Sequence, residues 1–99
     1  MRLSPEVIAG IKRLTAEEFG ADALVRLFGS RVDDQARGGD VDLLVETARP
    51  VEQPAWAVAG LSSRISRLMG GRSVDVVLLA PNLMRLPIHE VALREGVLL

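Results

Sequence analysis

The sequence has no cysteine among its 99 residues, which excludes a disulfide framework, thiolate zinc sites and a cysteine nucleophile. Its apolar runs are short, such as Val76 to Ala80, whereas a membrane span needs about 20 residues. The amino-terminal residues lack the apolar core of a signal peptide. Lysine occurs once, and the formal net charge of −1 provides no basic field for nucleic acid. We therefore expect a cytoplasmic protein that neither spans a membrane nor binds nucleic acid.

The composition that remains is that of an ordinary globular protein. Hydrophobic residues make up 48% and charged residues 25% of the chain, which excludes a disordered tail and a low-complexity scaffold. A chain of this length has room for one hydrophobic core. Residues 1–99 are therefore predicted to form a single domain.

Helical and strand patterns alternate along the chain. Ser4, Pro5 and Glu6 form a typical helix start, since a capping serine precedes proline and an acid in the first turn. Helices between strands favour an α/β fold with a mixed or parallel sheet, here of about three strands flanked by helices. The predicted elements are a helix from Pro5 to Gly20, strands at 24–28, 41–45 and 74–79, a helix ending near Leu68, and a helix over 87–95. The strand at 74–79 is rich in β-branched residues and is expected at the centre of the sheet.

Three aspartates occupy positions where a buried strand would carry apolar residues. Asp40 and Asp42 flank Val41, and the period of two in a strand places both carboxylates on one face, with β-carbons roughly 7 Å apart. Asp75 is the one charge in a later apolar strand. Clustered carboxylates repel each other and favour a divalent cation such as Mg²⁺. The structural alternative is that Asp40 caps a turn, Asp42 lies on a solvated edge strand and Asp75 merely begins its strand.

A glycine–serine pair follows the first predicted strand. Gly29 permits close approach of the backbone to a ligand, and the backbone N–H groups and hydroxyl at Ser30 can hold phosphate oxygens. Arg31 can add a charge-assisted contact. Alone, this pair favours a simple turn that a serine caps, and its weight comes from the Asp-x-Asp pattern on the next strand.

Taken together, these motifs resemble the nucleotidyltransferase superfamily typified by the palm of DNA polymerase beta. Gly29-Ser30 follows an apolar strand, nine residues separate it from Asp40-Val41-Asp42, and Asp75 lies on a later apolar strand. The chain length and the carboxy-terminal segment from Pro87 are similar to those of minimal nucleotidyltransferases. The resemblance implies the palm-like α/β fold of that superfamily.

The same resemblance implies an activity, a set of ligands and a partner. It implies two-metal transfer of a nucleotidyl group, with ATP as substrate and two Mg²⁺ ions held by Asp40, Asp42 and Asp75. Gly29, Ser30 and Arg31 would then hold the triphosphate. Minimal members are often paired with a helical HEPN protein in toxin–antitoxin modules, in which the nucleotidyltransferase is the antitoxin and some members transfer AMP to the toxin. A hetero-oligomer is thus expected.

The segment after Gly29-Ser30 departs from the pattern of many family members. Those members continue Arg-Ala-Arg-Gly, whereas here Arg31 precedes Val32, Asp33 and Asp34, and an Arg-Gly pair appears only at 37–38. Acids beside a phosphate loop repel a triphosphate unless they point away from it. A second hypothesis stays open, a catalytically weak antitoxin that neutralises its partner by complex formation. A third, a transferase that modifies nucleic acid, is weaker because the chain has no bias towards basic residues.

Two residues invite functional interpretations that the sequence does not favour. His89, the one histidine, falls on a helix and is expected to be a solvated polar residue rather than a ligand or general base. Trp56, the one tryptophan, is expected to pack against the sheet rather than to contact a partner.

Overall fold

The computed structural model describes residues 3–29 and 41–99, which form three helices and one four-stranded sheet. The elements in chain order are α1 (Pro5–Phe19), β1 (Leu24–Phe28), β2 (Val41–Glu46), α2 (Pro54–Leu68), β3 (Val74–Leu79), α3 (Pro87–Glu95) and β4 (Val97–Leu98). This arrangement confirms the predicted α/β class. It adds a two-residue carboxy-terminal strand that the sequence pattern is too short to reveal.

The sheet is mixed, with strand order β3-β2-β1-β4. Strands β2 and β3 are parallel, whereas β1 is antiparallel to both β2 and β4. The parallel pair is joined through α2, as a crossover connection requires. The expectation that residues 74–79 form a central strand is wrong, because β3 lies at the edge of the sheet. Its apolar composition reflects helices on the two faces of the sheet and does not report its place in the strand order.

The main core lies between one face of the sheet and the pair α1 and α2. Alternate residues of the strands point to this side, and the helices supply fully buried side chains such as Ile11, Leu61 and Ile65. Helix α1 begins as the sequence predicts: the Ser4 side chain accepts a hydrogen bond of 3.1 Å from the backbone N–H of Val7. Burying these side chains gives each helix a fixed position against the sheet.

The opposite face of the sheet, here called the α3 face, carries a smaller core that occupies part of the face. Phe28, Leu44 and Leu79 pack there with Ala92 of α3. The same alternation places Asp42, two residues before Leu44, on this face. Helix α3 thus covers Phe28, Leu44 and Leu79, whereas Asp42 lies outside this apolar cluster. No helix among the described residues has the length and hydropathy that crossing a membrane demands.

Candidate active site

Two of the three predicted acids lie side by side. Asp42 and Asp75 are register partners in the parallel pair β2 and β3, so neighbouring strands separated by about 4.8 Å carry them on the same face. Phe28, the last residue of β1, is the register partner of Asp42 on its other side. Phe28, Asp42 and Asp75 therefore form one row across the sheet, which we call the acid row.

The loop glycine lies directly against one of these carboxylates. Gly29 has φ of +75°, a conformation that side-chain-bearing residues rarely adopt. A β-carbon built at Gly29 would lie 2.5 Å from Oδ2 of Asp42. Glycine is thus required twice, for its backbone conformation and for the space that the Asp42 carboxylate occupies. The close approach connects the predicted phosphate loop to the predicted acid site.

The two acids differ in their surroundings. Asp42 is half-buried in an internal strand, whereas Asp75 is exposed near the start of an edge strand. The structural alternative that placed Asp42 on a solvated edge is therefore wrong, because β2 has a partner strand on each side. For Asp75, the second residue of β3, its position alone does not distinguish a functional carboxylate from a strand start.

The acids lie at an end of the sheet that the general rule for parallel sheets does not favour. In open α/β sheets, ligands usually bind beyond the carboxyl ends of the parallel strands. Here Asp42 and Asp75 are each the second residue of a strand, so the acid row lies at the amino ends of β2 and β3. Because β1 is antiparallel to β2, its carboxyl end and Gly29 arrive at this same end. The antiparallel strand brings Gly29 to the acids.

The remaining predicted site residues are Ser30, Arg31 and Asp40, which fall in segment 30–40 and lie outside the described residues. The departing residues Asp33 and Asp34 also fall in that segment. Within residues 3–29 and 41–99, no group of three or more side chains that could hold a metal ion is present. The described part of the site thus contains two carboxylates.

This donor set fits a hard divalent cation. Carboxylate oxygens are the protein ligands that Mg²⁺ prefers, and Mg²⁺ usually takes one or two of them together with substrate phosphates and water. Two adjacent carboxylates on one face satisfy this preference, and their mutual repulsion falls when a cation lies between them. The arrangement can therefore bind a divalent ion together with a phosphorylated ligand that approaches over Gly29.

His89 is not a solvated residue, and the expectation for it is wrong. It is 4% exposed, its Nδ1 accepts a hydrogen bond from the Leu86 N–H at 2.8 Å, and its Nε2 lies 2.9 Å from the Leu78 carbonyl oxygen. Since Nδ1 accepts, we assign the ring proton to Nε2, which donates to that carbonyl. His89 thereby fastens the first turn of α3 to β3. Both ring nitrogens serve the fold, so the histidine does not act as a general base.

Trp56 also differs from expectation, since it is 81% exposed on α2 instead of packing against the sheet. The first turn of α2 lies beside an open cleft of about 430 Å³, which the carboxy-terminal end of α1 and the connection between β2 and α2 also line. Thr47, which immediately follows β2, lines it as well, so this cleft lies at the opposite end of β2 from Asp42. It is separate from the acid row.

Comparison with known proteins agrees with this geometry. A family model described as a nucleotidyltransferase domain matches residues 8–98. Among solved structures, chains from two crystal structures of the toxin–antitoxin pair MntA–HpeT have the same fold. One, a tyrosine-to-alanine mutant, has a TM-score of 0.64 and 20% identity, over 98% of this chain and 71% of that chain. The other, a double aspartate-to-glutamate mutant, has a TM-score of 0.66 and 19% identity, over 97% and 71%. The comparison with curated proteins finds no match.

Proposed function

Because the chain belongs to the nucleotidyltransferase domain family, we propose that it is a Mg²⁺-dependent adenylyltransferase of the cytoplasm. Its substrate is ATP, and the acceptor of AMP is a hydroxyl group of a partner protein. The observation that carries this proposal is that Gly29 lies against Asp42, which is itself adjacent to Asp75. This arrangement combines a backbone suited to phosphate with two adjacent carboxylates suited to a divalent ion.

The proposed reaction assigns a role to each predicted site residue, and Asp75 has two roles. Asp40, Asp42 and Asp75 hold Mg²⁺, and Gly29, Ser30 and Arg31 hold the triphosphate. When bound, the metal neutralises charge on the phosphates and on the leaving pyrophosphate. The acceptor oxygen bonds to the α-phosphorus, the bond from that phosphorus to the bridging oxygen breaks, and pyrophosphate leaves. The exposed carboxylate of Asp75 accepts the proton that the acceptor hydroxyl loses.

The acceptor is proposed to come from a second protein. The described residues place the acid row at an open end of the sheet, with no further element covering Asp75, which is exposed. The fold is that of chains in a toxin–antitoxin complex, MntA–HpeT. We propose that this chain is likewise the antitoxin of a pair, and that its partner is a helical toxin of the HEPN type. Exposed apolar side chains, including Trp56 and Met84, offer surface for such a complex.

The test is direct modification of the partner. The chain is incubated with ATP, Mg²⁺ and a candidate partner, a small helical protein sought among the products of neighbouring genes, and the intact mass of that protein is measured. We expect a gain of one AMP residue, which chelation of the metal and Asp42→Asn both abolish. Asp22→Asn is the matched control, since Asp22 is exposed beyond the opposite end of β1 and should leave transfer unchanged.

The same variants separate catalysis from neutralisation by binding alone. If Asp42→Asn abolishes AMP transfer and the toxin is no longer neutralised in cells, the transferase activity is the antitoxic function. If Asp42→Asn still neutralises the toxin and no mass gain occurs with the parent protein, the chain acts by complex formation and the proposed reaction is wrong.

A further inference from the structure

The backbone that leads into Asp75 is held at three consecutive carbonyl groups, those of residues 72–74. The donors, in order, are the hydroxyl of Ser66, the backbone N–H of Val41 at 2.9 Å and the hydroxyl of Ser62. The middle bond belongs to the pairing with β2. The outer two carbonyl groups accept hydrogen bonds from α2 instead. In an ordinary edge strand, carbonyl groups on this outer side are hydrogen-bonded to water.

The two serines are one helical turn apart, so both face the same side of α2. Leu61 immediately precedes Ser62, Ile65 immediately precedes Ser66, and both are fully buried in the main core. This part of α2 is therefore a fixed support. The two hydroxyl groups therefore hold the start of β3 against this support. Among the strands that the structure describes, β3 pairs with β2 alone.

We infer that Ser62 and Ser66 are positioning residues that hold Asp75 beside Asp42, an inference that rests on the proposed transfer reaction. Neither serine lies in the acid row. Their role is to fix the register and direction of the β3 backbone, because Asp75 is exposed and lies at a strand start where pairing readily frays. Groups that hydrogen-bond a metal-binding side chain directly usually contribute 10- to 100-fold to affinity or activity, and we expect the lower end of that range for serines that act through the backbone.

The test compares serine variants on the same helix. Ser62→Ala and Ser66→Ala each remove one hydroxyl, Ser62→Thr keeps it, and Ser63→Ala is the matched control, because Ser63 is exposed. Mn²⁺ binding to the full chain in the presence of ATP is measured by electron paramagnetic resonance, at a temperature at which every variant is folded. Amide exchange of β3 and the kcat and KM of AMP transfer are measured alongside.

The inference predicts that Ser62→Ala and Ser66→Ala each lower kcat about tenfold and quicken amide exchange at the start of β3, with little change in Mn²⁺ binding, as expected for a change that acts through Asp75. Ser62→Thr restores these values, and Ser63→Ala matches the parent. If the alanine variants lower the melting temperature but bind Mn²⁺ and transfer AMP like Ser63→Ala, the serines are merely structural and the inference is wrong.

Asp42→Asn in the same assays distinguishes this failure from failure of the proposed function. If Asp42→Asn loses Mn²⁺ binding and transfer while the serine variants keep both, the positioning role alone is wrong. If Asp42→Asn keeps both, the acid row is not the site of transfer, and the proposed function is wrong with it.

Discussion

Replacing Gly29 with alanine separates two costs that the structure combines at one residue. Gly29 adopts φ of +75°, and its missing β-carbon leaves room for the Asp42 carboxylate. Gly70, after α2, provides a matched control. Its φ of +72° is nearly the same, but a β-carbon built there would have no neighbour within 4 Å. Alanine has the same backbone strain at either position. At position 29, but not at position 70, its β-carbon also clashes with the Asp42 carboxylate.

The expected magnitudes follow from these geometries. A left-handed backbone conformation costs an L-residue about 1–2 kcal/mol, so both variants should lose about that much free energy of unfolding. At Gly29 the built β-carbon lies 2.5 Å from Asp42 Oδ2, whereas ordinary contact begins at 3.4 Å, so the carboxylate must move by the difference of about 0.9 Å. A displacement of about 1 Å at a reacting centre can reduce the rate about 100-fold.

Two measurements on each variant test this reasoning. Urea denaturation gives the loss of stability, and calorimetric titration of Mg·ATP, with the AMP-transfer assay, gives the loss at the site. We expect similar stability losses in the two variants, with weakened Mg·ATP binding and transfer in Gly29→Ala alone. Equal Mg·ATP affinity and transfer rates in Gly29→Ala and Gly70→Ala would refute the claim that Gly29 makes room for a functional carboxylate.

Four other changes have defined outcomes. Asp42→Ala should lose both Mg·ATP binding, measured by calorimetry, and AMP transfer. Asp75→Asn should keep much of the Mg·ATP binding and lose transfer by about 100-fold or more. If Asp75→Asn transfers AMP at the parental rate, Asp75 is a structural residue. His89→Ala leaves the Leu86 N–H and Leu78 carbonyl without their partner and should cost about 2–4 kcal/mol in urea denaturation, and a loss below 1 kcal/mol would contradict the hydrogen bonds assigned to the ring. Millimolar Mg²⁺ with ATP should raise the melting temperature of the parent protein, and an unchanged melting temperature would count against a nucleotide site.

The sequence predicts the elements of this fold well, because each has a local signal. Ser4 and Pro5 mark the start of α1, and the β-branched run at 74–79 marks β3. The order of strands has no such signal. An edge strand covered by helices on both faces is as apolar as a central one, so β3 was predicted at the wrong place in the sheet.

The candidate site was predictable in its parts, since aspartates in apolar strands and a glycine after a strand are unusual in sequence. That Asp42 and Asp75 are register partners depends on long-range pairing of β2 with β3, which spacing along the chain does not encode. The buried environment of His89 was missed for a related reason. Its hydrogen-bond partner in β3 is eleven residues away, and helical periodicity reports nothing about it.

Transfer of label from ATP to the partner protein tests the central claim most directly. ATP labelled at the α-phosphate and ATP labelled at the γ-phosphate are compared with the parent chain, Asp42→Asn and Asp22→Asn, in the presence of Mg²⁺. The account predicts that α-label alone appears on the partner, that Asp42→Asn abolishes it and that Asp22→Asn does not. Transfer of γ-label, or α-label transfer by Asp42→Asn at the parental rate, would contradict it.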